Sequence, residues 1–453
     1  MLRSTNPFDG SVVAEYPETP APEVTQHLVT GARVQREWAA VPVAERAAPM
    51  LRLAGLLESS APELATLMAM EMGKPVTQGR AEAEKCAWVC RHYAAEAERI
   101  LADEEVDAGR RALVAYRPLG VVLAVMPWNY PLWQVFRFLA PALMGGNGGV
   151  LKHASNVTGC ALAIDRMVAE AGFPDGLFRA LVLPSARVGE VLEHPAVVAA
   201  TVTGSEAAGR AVAEAAGRLG KKTVLELGGS DPYLVLADAD LGNAAAVCAA
   251  SRLINGGQSC IAAKRFIVES PVVEEFTERL ADELGRAVMG DPLRPETTLG
   301  PMARPDLRDE LHAQVEASVA GGARGVLGGE VPPGEGSFYP PTLLTEVAPG
   351  MPAYEEETFG PVAAVIEAAS LDEAVRIAND TRFGLAAAVF TGDVELGVHV
   401  ARDRLEAGNC FVNAMVVSDP RLPFGGIKAS GYGRELGDVG MREFLNIKSV
   451  VVE

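Results

Sequence analysis

Gly120-Val-Val-Leu-Ala-Val-Met126 is an uninterrupted apolar run of the length of one strand, and Pro127 ends it. A strand without polar alternation is typical of a parallel sheet that is buried on both faces. The loosely alternating stretch 112–117 predicts one more strand, which Pro118 ends. Upstream, residues 23–105 are rich in Ala, Glu, Leu and Arg with apolar residues three or four apart, which predicts helices.

Downstream of this run, predicted strands and helices alternate. The first part has strands at 149–152, 181–183, 197–203 and 223–227 and helices at 159–171 and 205–216. The part after residue 231 has helices at 240–254, 271–287, 305–320 and 371–379 and strands at 264–269, 362–366, 386–391 and 409–413. The Gly- and Pro-rich stretch 321–339 is expected to be a surface excursion. The alternation predicts an α/β fold in which helices cover both faces of parallel sheets.

The composition limits the possible functions. With 453 residues, 49% of them hydrophobic, the chain can form two or three domains with large cores. Its formal net charge of -19, without a basic stripe, argues against nucleic acid and anionic membranes as partners. The longest apolar run is too short to span a bilayer, and residues 1–10 lack the apolar core of a signal peptide. We therefore expect a soluble protein.

The six cysteines are scattered along the chain and do not form a disulfide framework. Cys86 and Cys90 are four residues apart in a helical segment, and no second pair of ligands accompanies them, so we expect no metal site. Free thiols indicate a reducing compartment, and the cytoplasm is the expected location.

Cys260 is the most informative of these cysteines. It ends the sequence Asn255-Gly-Gly-Gln-Ser-Cys260, and Glu226 begins the sequence Glu-Leu-Gly-Gly upstream. Glycine-rich surroundings favour an exposed thiol and a carboxylate held in a turn, which together suggest covalent thiol catalysis with a carboxylate base. Taken alone, Cys260 would more often be a buried structural cysteine.

Two turns at predicted strand ends could serve such chemistry. Pro127-Trp-Asn-Tyr-Pro131 is a rigid turn in which Asn129 could donate a hydrogen bond to an oxyanion, although a lone Asn is usually a plain turn residue. Gly204-Ser-Glu-Ala-Ala-Gly209 follows a strand and begins a helix, where a phosphate could bind. Its GxxxxG spacing is a weak dinucleotide signal, and a turn capped by Ser205 explains it equally well.

Three further features suggest ligand contacts. Lys152 ends a predicted strand, where α/β sheets bind ligands, although a solvated Lys is the commoner case. Glu357 and Phe359 precede a rigid Gly-Pro and would suit a ribose diol and a nicotinamide ring, although an acidic helix end is the alternative. The glycine-rich stretch 423–435 indicates a close-packed loop near a ligand or a subunit contact.

These motifs, in this order and spacing, resemble the aldehyde dehydrogenase superfamily from about Asn6 to Val452. The stretches 152–156, 225–231 and 300–304 are most similar to those of short bacterial succinate-semialdehyde dehydrogenases. The resemblance implies a Rossmann-type cofactor domain, an α/β catalytic domain and a small β oligomerisation element. It places the NAD(P)-binding domain at 1–107 and 120–228, the catalytic domain at 229–430, and the oligomerisation strands at 108–119 and 431–453.

The resemblance also implies the site residues. Cys260 matches the catalytic thiol, Glu226 the base that activates water, and Asn129 the oxyanion donor, assisted by the backbone N–H of Cys260. The aldehyde would be oxidised through a thiohemiacetal and a thioester on this thiol. The residues expected to contact the cofactor are Trp128, Lys152, Ser155, Gly204, Ser205, Glu357 and Phe359.

The substrate implied by the resemblance is succinate semialdehyde or a similar short carboxylated aldehyde. Arg137 resembles an arginine that binds the distal carboxylate in these enzymes, and a surface or interhelical role is the alternative. Some of them carry a second arginine six residues before the thiol, where this chain has Ile254. Ser418 and Arg421 are expected to assist. Glutarate semialdehyde and aliphatic aldehydes stay open as substrates.

The cofactor prediction is NAD or NADP, with dual use expected. NAD-preferring relatives often carry a Glu where this chain has Ser155, and that carboxylate repels a 2′-phosphate. His153 replaces the usual proline and could add positive charge.

The expected partners are a small aldehyde and further copies of the chain. Residues 107–118 and 444–451 resemble the protruding strands by which subunits of the family pair. The apolar edge 449–452 also requires a partner strand. A dimer or a tetramer is therefore expected.

Two other functions stay open. A CoA-acylating aldehyde dehydrogenase would replace hydrolysis by thiolysis, but such relatives generally lack the glutamate at the position of Glu226. A non-catalytic structural relative would be expected to lose the thiol, whereas this chain keeps Cys260, Glu226 and Asn129.

Overall fold

The computed structural model describes all 453 residues. The N-terminal part consists of an antiparallel hairpin and four helices, in the order β1 (Leu2–Thr5), β2 (Val12–Tyr16), α1 (Ala21–Ala39), α2 (Val43–Ser59), α3 (Ala61–Met72) and α4 (Val76–Ile100). Pro20, Pro42 and Pro75 directly precede α1, α2 and α4, since the fixed φ of proline is suited to the start of a helix. The predicted helical stretch 23–105 is thus four helices, and it ends at Ile100.

The next part of the chain builds a parallel sheet. Its elements are β3 (Glu104–Asp107), β4 (Arg111–Pro118), β5 (Val121–Met126), α5 (Trp133–Met144), β6 (Gly148–His153), α6 (Thr158–Glu170), β7 (Phe178–Ala180), α7 (Val188–Glu193), β8 (Val197–Thr203), α8 (Glu206–Arg218) and β9 (Lys222–Glu226). Five strands lie parallel in the order β9-β8-β5-β6-β7. The chain leaves β5 toward β7 and later returns to β8, so the switch point lies between β5 and β8, where such sheets bind ligands.

A second α/β run follows. Its elements are β10 (Pro232–Val235), α9 (Leu241–Leu253), β11 (Arg265–Glu269), α10 (Val273–Gly285), α11 (Pro305–Ala320), β12 (Arg324–Leu327), β13 (Thr342–Thr345), α12 (Pro352–Glu355), β14 (Val362–Ala368), α13 (Leu371–Asn379), β15 (Ala386–Phe390), α14 (Val394–His399) and β16 (Asn409–Val412). The seven strands have the order β12-β13-β14-β11-β10-β15-β16, and all pair in parallel except β12 with β13. The predicted α/β class with parallel sheets is confirmed.

The C-terminal elements are β17 (Gly431–Tyr432), α15 (Gly437–Arg442) and β18 (Leu445–Val451). β18 pairs with β4, and β4 pairs with β3, in a three-stranded antiparallel sheet. β17 instead joins β9 at the edge of the first parallel sheet. β3 thus belongs to the three-stranded sheet, and β17 belongs to the first parallel sheet.

Two local predictions are corrected by the structure. The strand predicted at 181–183 is β7, at 178–180, because Leu181 and Leu183 are buried in the core just beyond the end of the ladder. The excursion predicted at 321–339 contains β12, a short edge strand whose glycine hides its strand character in the sequence.

The opening apolar run is buried on both faces, as its composition predicts. Val121 and Leu123 pack in one apolar cluster, whereas Val122, Ala124 and Met126 pack in another. Successive strand residues point to opposite faces, so a strand without polar residues can fill two cores. None of the helices combines the length and the apolar character that a bilayer span requires.

Candidate active site

A cavity of about 690 Å³ opens at the carboxyl ends of the central strands of the first sheet. Pro127, Trp128 and Asn129 follow β5, Gly204 and Ser205 follow β8, and Glu226 ends β9, and all of them line this cavity. The second α/β run contributes Cys260, Glu357 and Phe359 to the same lining. The fold thus brings most of the predicted site residues to the switch point.

The loop that carries Cys260 begins with an unusual turn after α9. Asn255, Gly256 and Gly257 have φ values of 53°, 64° and 73°. Three consecutive left-handed residues reverse the chain, and glycine adopts this conformation at little cost. A Cβ atom at position 257 would collide with the backbone of Gly360, so the turn also needs glycine for close packing.

A buried lysine, Lys264, holds the backbone of the loop that carries Cys260. Lys264 Nζ donates hydrogen bonds to the carbonyl oxygens of Ser259 at 3.0 Å, Cys260 at 2.8 Å and Ala262 at 3.2 Å. With its three donors satisfied by carbonyls, this ammonium fixes the backbone that presents the thiol.

Asn129 is tied to the same loop. Its Nδ2 donates to the carbonyl oxygen of Gln258 at 3.0 Å, and Asn255 Nδ2 donates to the Asn129 carbonyl oxygen at 2.7 Å. Only one of the two Nδ2 hydrogens of Asn129 is used in this way. The second hydrogen is free for an oxygen that develops charge near Cys260.

The environment of Glu226 suits a base. Its side chain is buried, and neither carboxyl oxygen has a hydrogen-bond partner. Burial raises the pKa of Glu226 well above its ordinary value, Glu435 raises it further, and Arg137 opposes both. A carboxylate with a raised pKa and free lone pairs can accept a proton from a water molecule in the cavity.

The thiol of Cys260 is partly exposed and lies in a low-dielectric environment. Burial raises its pKa to about 12, while the positive charges of Arg137 and Lys264 lower it. The thiol is therefore protonated near neutral pH, and a further positive charge or a base must act before it becomes a strong nucleophile.

The predicted phosphate turn has an open helix N-terminus. Ser205 caps α8, with its Oγ accepting from the backbone N–H of Ala208 at 3.3 Å. No atom lies within 4 Å of where a Cβ of Gly204 would be, so an anion can approach the first turn of the helix. Arg210 and Arg382 also line this end of the cavity.

The other end of the cavity carries the aromatic and acidic residues. The rings of Trp128 and Phe359 meet edge to face with centroids 5.7 Å apart. Glu357 accepts from the backbone N–H of Gly229 at 3.0 Å and lies 3.7 Å from Lys264. A side chain at position 228 would collide with the Glu357 carboxylate, which explains the glycine there.

Lys152 and Ser155 lie beside this cavity rather than in its lining. Lys152 ends β6, the neighbour of β5, and its Nζ donates to Ser185 Oγ at 3.0 Å.

The prediction that His153 adds positive charge is wrong. Its Nε2 donates to the Pro131 carbonyl at 2.8 Å, its Nδ1 accepts from Ala154, and burial lowers its pKa to about 4.

The structure places Arg137 in a different environment from the one predicted. Arg137 is buried, forms an ion pair with Glu435 through Nε, and lies 4.0 Å from a carboxylate oxygen of Glu226. Its Nη2 also donates to Thr203 at 3.2 Å. Two carboxylates therefore lie beside its guanidinium, and its contact with a substrate carboxylate stays a prediction.

A second cavity, of about 190 Å³, also reaches Cys260. Ser418 lines it, as does Arg137. Arg421, the other predicted helper, lies outside it, with 68% of its side chain exposed and an ion pair to Asp419 at 2.5 Å. The charged side chain of Arg421 is thus not part of the lining of this cavity.

Three residues that contact or line the candidate site were not predicted from the sequence. Lys264 and Glu435 have no local motif, because their partners are distant or are backbone carbonyls. Lys85 lines the second cavity from α4, where it looks like any solvent-facing lysine of an amphipathic helix. Only Glu435 gave a hint, since it closes the glycine-rich stretch 423–435.

Comparison with known proteins gives consistent matches. The sequence profile described as "Aldehyde dehydrogenase family" matches residues 1–450. A protein of Synechocystis sp. named "Probable succinate-semialdehyde dehydrogenase (NADP+)" is 48% identical over 450 residues, with 99% of each chain covered. A succinate-semialdehyde dehydrogenase (NADP+) of Mycobacterium avium is 50% identical over 411 residues, which cover 90% of this chain and 87% of that one.

Solved structures agree with these matches. The succinic semialdehyde dehydrogenase from Streptococcus pyogenes in complex with NADP+ superposes with a TM-score of 0.98 at 34% identity. The two chains cover each other completely, at 100% of each. The similarity therefore extends over the whole fold.

Proposed function

Because this chain belongs to the aldehyde dehydrogenase family, we propose that it oxidises succinate semialdehyde, or a similar short carboxylated aldehyde, with NADP+. One observation carries the proposal: Cys260 lines both cavities, the large one with Glu226 and the small one with basic residues. A cofactor and an anionic aldehyde can then reach the same sulfur from two sides. The relatives named above support the choice of substrate and cofactor.

In the first step the Cys260 thiol loses its proton to water in the cavity, and Sγ forms a bond with the aldehyde carbon. The carbonyl oxygen becomes an oxyanion, which Asn129 Nδ2 and the backbone N–H of Cys260 stabilise in the proposed geometry. The resulting thiohemiacetal loses a hydride and becomes a thioester on Cys260. Rigid hydrogen bonds from Asn255 and Lys264 hold the two stabilising groups in place.

The second step breaks the thioester. Glu226 takes a proton from water, the hydroxide attacks the acyl carbon, and Cys260 leaves as a thiolate while the carboxylate product departs. The free lone pairs of Glu226 support this role. A hydrolytic base at this position also favours hydrolysis over transfer to CoA.

The cofactor residues fit a dinucleotide. The open turn at Gly204 and Ser205 would hold the pyrophosphate at the start of α8. Glu357 and Phe359 would hold the nicotinamide ribose and ring near Cys260. When bound, NADP+ supplies the acceptor for the hydride. Lys152 and Ser155 would contact the adenosine ribose, where Ser155 offers no carboxylate to repel a 2′-phosphate.

Steady-state kinetics with the purified enzyme test this function. We expect kcat/KM for succinate semialdehyde with NADP+ to exceed that for butanal by about 10²-fold, because only the former is an anion. Glutarate semialdehyde controls for chain length, and NAD+ at equal concentration controls for the 2′-phosphate. Equal use of butanal would contradict the substrate, a strict NAD+ preference would contradict the cofactor, and a CoA requirement would contradict hydrolysis.

We also propose that the chain self-associates through β18. Ile447 and Val451 on this strand are 62% and 52% exposed, although β18 pairs with β4 in the same chain. An exposed apolar edge strand is normally covered by another chain. Light scattering should give the mass of a dimer or a tetramer, and a monomer at micromolar concentration would contradict the proposal.

A cytoplasmic location is also proposed. All six cysteines are free, and four of them are buried in the core. Such thiols are typical of a reducing compartment. Fractionation of the producing cells measures the location directly, and recovery outside the cytoplasm would exclude it.

A further inference from the structure

Gln134 lies where the two cavities meet. Among the residues that line either cavity, only Gln134 and Cys260 line both. Gln134 is the second residue of α5, and its side chain is buried. Its Oε1 is shielded from solvent and has no hydrogen-bond partner in the protein. Buried amide oxygens in native proteins nearly always accept a hydrogen bond, so the donor for this one is expected to come from a molecule in the cavity.

Helix α5 directs the Gln134 amide toward the base. Arg137 follows Gln134 by three residues, so both side chains lie on the same face of the helix. Arg137 is 4.0 Å from a carboxylate oxygen of Glu226. Helical side chains lean toward the N-terminus, which brings the Gln134 amide from this face toward the turn that carries Asn129. Gln134, Glu226 and Cys260 thus line the same region of the large cavity.

This region contains two kinds of acceptor without a donor, Gln134 Oε1 and the carboxylate oxygens of Glu226. While Glu226 is ionised, neither side chain oxygen can satisfy the other, because both only accept hydrogen bonds. A water molecule bound in a polar cavity makes two to four hydrogen bonds and has two hydrogens to donate. One water can therefore donate to both side chains at once, and a lone pair of its oxygen is then directed away from them and can face the carbon held on Cys260.

We propose that Gln134 is a catalytic residue of the second step, in which it orients the water that hydrolyses the thioester. This role rests on the proposed function and adds a residue to its mechanism. Gln134 Oε1 accepts a hydrogen bond from one hydrogen of the water, and Glu226 removes the other as a proton. The water oxygen forms the new C–O bond, the C–S bond breaks, and its electron pair leaves with the Cys260 sulfur as a thiolate.

The first step relies on other groups. Asn129 Nδ2 and the backbone N–H of Cys260 serve the oxyanion, and the cofactor takes the hydride. None of these groups is held by the Gln134 side chain, which makes no hydrogen bond to them through Oε1. Loss of the Gln134 acceptor should therefore slow hydrolysis and leave formation of the thioester unchanged.

Gln134→Met tests the proposal by separating the two steps. Methionine has a similar length but offers the water only a weak acceptor. We expect thioester hydrolysis to slow about 10–10²-fold, because a nucleophile that is not held in place reacts more slowly. Rapid mixing with succinate semialdehyde and NADP+ should show a burst of reduced cofactor close to one per active site, at the wild-type rate. Hydroxylamine, which attacks the thioester without an oriented water, should restore turnover.

A double variant gives a readout that a structural role would not produce. Glu226→Gln combined with Gln134→Met should hydrolyse the thioester at most about threefold more slowly than Glu226→Gln alone, because both residues act on the same water. Losses that multiply would mean that Gln134 acts independently of that water, and would overturn the proposal. Gln26→Met, at an exposed position on α1, is the matched control and should keep the wild-type rates of both steps.

The outcomes separate this role from the proposed function. If the wild type does not oxidise succinate semialdehyde with NADP+, the function fails, and the burst is measured with butanal instead. Hydrolysis by Gln134→Met at the wild-type rate would exclude Gln134 from the second step. A slower burst with unchanged hydrolysis would assign the amide to the oxyanion and contradict the proposal. Loss of both steps without rescue by hydroxylamine would leave Gln134 only a structural role.

Discussion

Cys260→Ala should lower kcat by at least about 10⁴-fold while the protein stays folded. Every covalent step of the proposed reaction uses the Cys260 sulfur, and removing the nucleophile of a comparable covalent enzyme costs this much. The side chain is small, partly exposed and makes no ion pair. Its loss should therefore change the free energy of unfolding by about 1 kcal/mol or less. Activity with succinate semialdehyde and thermal unfolding measure the two effects.

Two further variants sharpen this result. Cys410→Ala is the matched control, since Cys410 is also a partly exposed free thiol but lines neither cavity, and it should keep full activity. Asn129→Ala should lose on the order of 10²–10³-fold, because the backbone N–H of Cys260 still stabilises the oxyanion. Normal turnover by Cys260→Ala would refute the assignment of the nucleophile.

Glu226→Gln should separate the two chemical steps. The amide keeps the shape of the side chain but cannot accept a proton, so hydrolysis of the thioester should slow by about 10²–10⁴-fold. Formation of the thioester should persist, and a rapid-mixing experiment should show a burst of reduced cofactor close to one per active site. Hydroxylamine, a nucleophile that needs no base, should restore turnover. Loss of the burst would mean that Glu226 acts before the thioester forms.

The raised pKa of Glu226 predicts that the rate of thioester hydrolysis depends on pH. Burial raises the pKa of Glu226 well above its ordinary value, and the base must be deprotonated to act. Hydrolysis by the wild type should therefore increase with pH through this raised pKa and level off above it. Glu226→Gln should lose that rise. A wild-type rate of hydrolysis independent of pH from 5 to 9 would argue against an ionising base.

The fold could be predicted because its signals are local. The run 120–126 has the composition of a strand buried on both faces, and Val121 and Val122 indeed pack in different clusters. The errors came where local pattern and packing differ. Leu181 and Leu183 are apolar and buried but lie beyond the ladder of β7, and the hairpin β1–β2 has mixed polarity that gives no period.

The site could be predicted in part for the same reason. Cys260, Glu226 and Asn129 lie in glycine- and proline-rich turns at strand or helix ends, which are recognisable in sequence, and the structure brings all three to one cavity. His153 shows where prediction of the site from the sequence fails. Its sequence context suggested a charge, but its burial under the turn at Pro131 makes the neutral ring the stable form.

The sequence by itself determined the α/β class, the candidate thiol, base and oxyanion donor, and the phosphate turn. Each depends on residue types within a few positions of one another. Only the tertiary structure decided the partners of the basic residues that line the second cavity. Arg137 meets Glu435 across about 300 positions of sequence, and Lys85 meets Ser418 across 333. Such contacts depend on distance in space, so the packing of α4 and α5 against the C-terminal loops determined the partners of Arg137 and Lys85.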